Sequence, residues 1–285
     1  MRYLIADSGG TKTDWCYIEN GKPVYLKTEG LHPFYLDPKA SIIEVKQVIG
    51  HLKPERIWFY GAGCVNDEKS QPVRELLESL FPGVRAEFRS DLCGAGRAFF
   101  GDEPGIAAIL GTGSGSGVMK GGELISQVPP LGYILGDEGS AADIGKRILK
   151  DYLRNNTPDD VNSWIQSVQP KLNTETVYQK LYVELAGSKY LGSISGSILR
   201  DGCPESMYNY VEEAFHEFVR QHLLAHKDLP VNEVAFTGGV AVNHQNRLQN
   251  VLREYGFKMK SVSAGIIGLL YRYHSNPGSR VKKIN

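Results

Sequence analysis

Four cysteines in 285 residues, at positions 16, 64, 93 and 203, are too few and too scattered to staple a fold. They form no CxxC pair and no metal-ligand spacing, which excludes a disulfide scaffold and any regularly spaced zinc or iron–sulfur site. Charge of one sign is missing as well. Thirty-two basic and 32 acidic residues cancel, so neither nucleic acid nor an anionic membrane surface is an expected partner. No apolar run approaches the ~20 residues that cross a bilayer. The first motif begins at Asp7, which leaves no room for a cleavable signal peptide. With free thiols, that makes the cytoplasm the expected location. What is present is a core: 41% hydrophobic and 22% charged residues are those of a globular protein. The length suits one large or two medium domains.

Two short apolar runs, Tyr3-Leu4-Ile5-Ala6 and Trp15-Cys16-Tyr17-Ile18, read as strands. Between them lies the turn Asp7-Ser8-Gly9-Gly10-Thr11-Lys12-Thr13-Asp14. Its glycines let backbone N–H groups face an anion, and its hydroxyls and lysine add donors. That is a phosphate cradle built into a hairpin, although an ordinary hairpin with a polar tip has the same composition. It is not a Walker A loop, because the GxxxxGK[ST] spacing and the following helix are absent. Asn20-Gly21 predicts a second tight hairpin into Val24-Tyr25-Leu26, giving an antiparallel meander. A ring-bearing loop, Gly30–Tyr35, follows, then a helix over Ser41–Leu52 and a buried strand, Arg56–Tyr60, running into Gly61-Ala62-Gly63. Val73, Leu76, Leu77 and Leu80 have helical spacing. A strand over Arg85–Arg89 leads to Ser90-Asp91 and a helix over Leu92–Phe100, and the breaker cluster Gly101–Gly105 marks a boundary.

After that boundary the device recurs. Ile106–Leu110 is a strand ending in Gly111-Thr112-Gly113-Ser114-Gly115-Ser116-Gly117, followed by Val118-Met119, the turn Lys120-Gly121-Gly122 and Leu124-Ile125. The stretch Glu233–Asn243, with its Gly238-Gly239 bend, echoes Ile57–Asn66. A longer insertion separates the second pair, and it reads as helical over Ser140–Arg154, around Thr174–Leu185 and after Pro204. In the last, Met207, Val211, Phe215, Phe218, Val219 and Leu223 form a stripe expected to be core. Two such halves would set two anion cradles face to face across a cleft, an arrangement that suits a nucleoside triphosphate.

The chain resembles the sugar kinase, actin and heat-shock chaperone superfamily of ATP-binding folds, and within it the N-acetylglucosamine kinase and BadF/BcrA-type ATPase family. Asp7–Asp14 (DSGGTKTD), Ser90–Gly96 (SDLCGAG), Leu110–Ser116 (LGTGSGS), Gly136–Ala142 (GDEGSAA) and Thr237–Ala241 (TGGVA) carry the resemblance, in the family's order and over nearly the whole chain. It implies an α/β protein of two ribonuclease H-like, actin-like ATPase domains with a central nucleotide cleft. These would cover residues 1–104 and 105–263, with a helical insertion over about 140–230. The C-terminal helix, about 264–275, would pack back onto the first domain, with Gly265 and Gly268 allowing close contact. The tail Ser279–Asn285 reads as a solvated end.

The same resemblance implies ATP and Mg2+ as cofactors. Gly10, Thr11, Lys12 and Thr13 would hold phosphate, as would Thr112 and Gly113. Gly238 and Gly239 would approach the adenosine, and Asp7 would lie near the magnesium. Asp91 reads from sequence alone as a helix cap; the resemblance makes it the general base. Ser114 and Asp137 would hold the sugar, although Asp137-Glu138-Gly139-Ser140 is also a plain helix start. His32 would lie over the acetamido group. Relatives commonly have asparagine there, and imidazole replaces one amide donor or acceptor but not both; a plain surface histidine is the other reading. The implied reaction is phosphorylation of an amino sugar, N-acetylglucosamine at its 6-hydroxyl, with glucosamine and N-acetylmuramate as other acceptors. Two other classes resemble it less. Activators of radical dehydratases hold an iron–sulfur cluster on cysteines whose motif is missing around Cys64 and Cys93. Sugar sensors of the superfamily usually open on a helix-turn-helix. The expected partners are therefore an amino sugar and ATP, with no nucleic acid and no membrane; a homodimer is compatible with this.

Overall fold

The computed structural model describes residues 2–34 and 36–275. Tyr35 of the ring-bearing loop and the tail Ser279–Asn285 lie outside the described residues. The chain divides into two compact units: Met1–Ala107 with Met119–Ile125 and Gly265–Asn285, and Ala108–Val118 with Ser126–Ala264.

The first sheet is built from β1 (Tyr3–Ser8), β2 (Lys12–Glu19), β3 (Lys22–Glu29), β4 (Arg56–Gly61) and β5 (Arg85–Ser90), in the order β3-β2-β1-β4-β5. The run Tyr3–Ala6 is buried on both faces because β1 is the central strand. β2 and β3 are antiparallel through the Asn20-Gly21 turn, whose φ angles of 53° and 77° are those of the favoured two-residue hairpin. β1, β4 and β5 are parallel, in a register that aligns Ser8, Gly61 and Ser90 at one carboxyl edge. Three helices, α1 (Pro38–Ile49), α2 (Asp67–Leu80) and α3 (Asp91–Phe100), connect the strands. α1 starts earlier than the apolar pattern predicts, since proline is tolerated in a first helical turn, and it ends before Gly50.

The second sheet repeats the first. Strands β6 (Gly105–Leu110), β7 (Ser114–Lys120), β8 (Glu123–Gln127), β9 (Glu233–Thr237) and β10 (Lys258–Ser263) lie in the order β10-β9-β6-β7-β8. Again the most apolar run, Gly105–Leu110, is the centre and ends on a glycine-rich turn. The insertion holds α4 (Gly132–Leu135), α5 (Ala141–Tyr152), α6 (Asp159–Val168), α7 (Thr174–Tyr178), α8 (Gly187–Ile198) and α9 (Tyr208–Phe218); α7 and α9 run on into π-helical turns. All six residues of the expected stripe, Met207 to Leu223, are fully buried. Two helices, α10 (Gly239–Asn243) and α11 (Gln245–Glu254), connect β9 to β10.

The last helix, α12 (Ile267–Ser275), belongs to the first unit. His274 stacks on Trp58 with ring centroids 4.1 Å apart. Its Nε2 lies 2.9 Å from the Tyr60 hydroxyl, which also accepts from the buried guanidinium of Arg97 on α3 at 2.9 Å. The glycines do not serve close approach: a Cβ at Gly268 would meet nothing nearer than the Tyr25 hydroxyl at 3.9 Å, and one at Gly265 would meet nothing within 4 Å. No described helix is long and apolar enough to cross a membrane.

Candidate functional site

In the first unit, the shared carboxyl edge of β1, β4 and β5 collects two acids. Asp7 is the penultimate residue of β1, and Asp91 follows directly on β5. Burial, then the Asp91 and Asp14 carboxylates, push Asp7 up to about 7, against the Ile266 N–H and Lys12. Burial pushes Asp91 up to about 6, against the N–H groups of Leu92 and Asp91 itself.

Asp91 does not cap its helix. Ser90 does, its hydroxyl accepting from Cys93 N–H at 3.2 Å. Asp91 is the first helical residue, and its Oδ1 accepts from the adjacent Leu92 N–H at 2.9 Å. Serine and aspartate cap about equally well, so the sequence could not separate the neighbours. Cys93 lies in the first turn of α3, and both Cys93 and Cys64 are buried.

The hairpin turn itself divides. Gly10 and Thr11 are exposed, and Lys12 extends outward, paired with Asp14 at 2.7 Å. Thr13 corrects the expectation of a phosphate ligand: its side chain is buried and its hydroxyl donates to the Glu29 carbonyl at 2.9 Å. Thr13 shares one face of β2 with Trp15 and Tyr17, and both faces of the strand are buried from Thr13 to Ile18. His32 is half-buried, and burial lowers its pKa. Its Nδ1 accepts from Phe34 N–H at 3.3 Å, which puts the ring proton on Nε2. A Cβ at Gly63 would lie 3.0 Å from the imidazole, so the ring covers that bend.

In the second unit, the turn Gly111–Ser114 rests on the start of α5. Ala141 N–H donates to the Gly111 carbonyl at 2.9 Å and Ala142 N–H to that of Thr112 at 3.2 Å. Ser140 caps the helix, accepting from Asp143 N–H at 3.1 Å, and Asp143 accepts from Gly139 N–H at 3.1 Å. Thr112 is exposed. Asp137 adopts φ 58°, an uncommon conformation for a non-glycine residue, and such outliers concentrate at functional sites. Its Oδ1 accepts from Ser114 N–H at 3.2 Å, and burial raises its pKa. The Ser114 hydroxyl is buried with no hydrogen-bond partner among the described residues. A buried hydroxyl left unmade is costly, so such a group marks a place where a ligand or water completes the bonding.

Gly238 is also fixed by packing inside its own unit. At φ 118°, a Cβ there would come within 2.3 Å of the Leu110 carbonyl oxygen and 2.9 Å of Gly111 N. The bend is packed on the root of the cradle, and the room beside Gly238 is filled by chain. Gly239, next to it, is exposed with nothing within 4 Å of its Cβ position. Beside Asp137, the Glu138 carboxylate lies 3.2 Å from the buried His222 Nε2. Among the described residues no group of three or more His, Cys, Asp and Glu side chains forms a metal cluster.

No family model matches the chain, and no curated protein matches it. Solved structures do. A proposed N-acetylglucosamine kinase from Porphyromonas gingivalis is 34% identical, with a TM-score of 0.86 over 97% of this chain and 99% of that one. A proposed N-acetylglucosamine kinase from Chromobacterium violaceum is 15% identical, with a TM-score of 0.72 over 95% and 98%. A ROK-family glucokinase from Streptomyces griseus, solved with glucose and AMPPNP, is 15% identical, with a TM-score of 0.58 over 96% and 98%. The last two share the fold.

Proposed function

The chain belongs to the N-acetylglucosamine kinase family of the sugar kinase, actin and heat-shock chaperone superfamily, and we propose that it is the ATP-dependent kinase of an amino sugar, N-acetylglucosamine, acting at the 6-hydroxyl. Asp91 carries the proposal. The helix is capped by Ser90, so the fold does not need the Asp91 carboxylate. Burial lifts it to about 6, close to the working pH of a general base. In the reaction the sugar hydroxyl gives its proton to Asp91 as its oxygen bonds to the γ-phosphorus. The bond from that phosphorus to the bridging oxygen breaks, and ADP leaves. Phosphoryl transfer asks mostly for positioning and charge compensation. Gly10, Thr11 and Lys12, with Thr112 and Gly113, would supply donors to phosphate, and Gly239 the open backbone for the adenosine.

Mg2+ fits the donor set. Magnesium is held by one or two carboxylates together with substrate phosphates, and Asp7 is a carboxylate raised to about 7 by burial and its acidic neighbours. Bound there, the ion would offset charge on the phosphoryl oxygens. A screen of ADP release with N-acetylglucosamine, glucosamine and N-acetylmuramate tests the reading: release should depend on N-acetylglucosamine. ADP release that ignores every amino sugar would sink it.

Two further results are expected. Without sugar, ATP hydrolysis should be slow compared with phosphotransfer, because closure around the acceptor completes such sites; fast sugar-independent hydrolysis would favour the activator class. Ser114→Ala should raise the sugar KM about 2–13-fold, the net worth of one hydrogen bond. Its melting temperature should stay level or rise, since the lost hydroxyl is unsatisfied in the free protein. An unchanged KM would remove Ser114 from the sugar site.

A further inference from the structure

One chain of hydrogen bonds joins the acceptor loop to the phosphate hairpin. Leu31 N–H donates to Ser8 Oγ at 3.0 Å. Ser8 Oγ lies 2.8 Å from Thr13 Oγ1, which donates to the Glu29 carbonyl at 2.9 Å. Since the Thr13 proton goes to Glu29, the Ser8 proton goes to Thr13, and the direction of the whole chain is set. Both hydroxyls and Leu31 are buried. Between the two anchored residues, Gly30 lies against the turn: a Cβ there would come within 2.4 Å of the Gly9 carbonyl oxygen and 2.7 Å of Thr11 N. The Ser8 carbonyl in turn accepts from Ala62 N–H at 2.8 Å.

Residues 29–31 are thus bonded to both strands of the hairpin at once, in a dry place where a broken bond finds no water. His32 follows immediately. A ligand that shifts His32 and Leu31 must either stretch this chain or carry Ser8 and Thr13 with it, and between those two residues stand Gly10 and Thr11. We propose that Ser8 is a positioning residue that couples the acceptor loop to the phosphate hairpin, so that the amino sugar and ATP each tighten the binding of the other. This rests on the reading of the His32 loop as the sugar loop.

The test is a titration of the magnesium complex of AMPPNP, with and without saturating N-acetylglucosamine, on wild type, Ser8→Ala and Ser8→Thr. Wild type should bind the nucleotide about fivefold or more tightly with sugar present, and sugar binding should tighten by the same factor with nucleotide present, as linkage requires. In Ser8→Ala that factor should fall towards one, with the sugar-free nucleotide affinity little changed. Ser8→Thr, which restores a hydroxyl, should recover it. A merely structural serine would move the melting temperature and leave the factor alone. Should Ser8→Ala fail to fold, Thr13→Val, which keeps the shape and removes the donor, takes its place with the same expectation. A folded variant that keeps the wild-type factor overturns the proposal. So does a wild type that phosphorylates the sugar with a factor of one, and in that case the kinase reading stands. A wild type that neither binds nor phosphorylates an amino sugar overturns both.

Discussion

Asp91→Asn is expected to lower turnover by about 10²–10⁴-fold, the usual contribution of a general base, while leaving the fold at least as stable. The substitution keeps the shape and the acceptor for Leu92 N–H, and the cap at Ser90 is untouched. Nucleotide binding should survive, because the turns at Gly10–Lys12 and Gly111–Gly113 are not altered. The stability effect has a sign that a cap would not give. Asp91 titrates near 6 in the folded chain, above its ordinary value. Folded protein therefore binds the proton more tightly than unfolded chain. The stabilisation is complete in acid and is lost as pH rises through about 6. At pH 8 the charged carboxylate is held against its burial, at a cost of about 2–3 kcal/mol by the ordinary conversion. In protein stripped of divalent cations, Asp91→Asn should then melt higher than wild type at pH 8, with the difference vanishing near pH 4. Differential scanning calorimetry across that range checks it. Wild-type turnover in a stable Asp91→Asn protein would remove Asp91 from the chemistry.

Gly238→Ala should be strongly destabilising to the second unit. The backbone at φ 118° and ψ 156° is open to glycine and to almost nothing else. A Cβ would press to 2.3 Å on the Leu110 carbonyl oxygen and 2.5 Å on its carbon. Backbone on both sides cannot swing away as a flexible side chain would: Gly238 N–H is held by the Ser263 carbonyl at 3.1 Å and Gly111 N–H by that of Gly113 at 3.0 Å. Strain of 1–3 kcal/mol and overpacking of 1–3 kcal/mol together give about 3 kcal/mol or more. That is a fall in melting temperature of roughly 6–12 °C for a unit of this size, with nucleotide affinity lost as the cradle's root is displaced. Gly239→Ala is the control. Its Cβ enters open space, so the melting temperature should hold, and any loss should be confined to the KM for ATP. Gly238→Ala melting with wild type would refute the packing argument.

The strands and the internal repeat were legible because each rests on a local pattern. A short apolar run ending in glycines is what a central strand feeding a cradle requires, and the chain needs it twice, at Tyr3–Gly10 and Ile106–Gly113. The stripe from Met207 to Leu223 was equally plain, since helical spacing of large apolar residues has one ordinary use. What the sequence concealed was mostly tertiary. Nothing local says that Gly238 meets Leu110, or Gly30 the Gly9–Thr11 turn, because close approach is a property of two distant segments. Ser8 looked like one more small turn residue; only its burial and its partners at Thr13 and Leu31 give it a role. Thr13 could have been read correctly: once β2 begins at Lys12, Thr13 lies on the same face as Trp15 in a strand buried on both sides. The choice between Ser90 and Asp91 as the cap was a real degeneracy, since either residue forms one, and the structure resolves it in favour of Ser90.

The most direct test of the account is the product itself. Purified protein incubated with ATP, Mg2+ and N-acetylglucosamine should give one sugar phosphate for each ADP, with phosphorus NMR showing the new ester on the 6-oxygen. ADP accompanied by inorganic phosphate and no sugar ester, or an ester on any other oxygen, would contradict it.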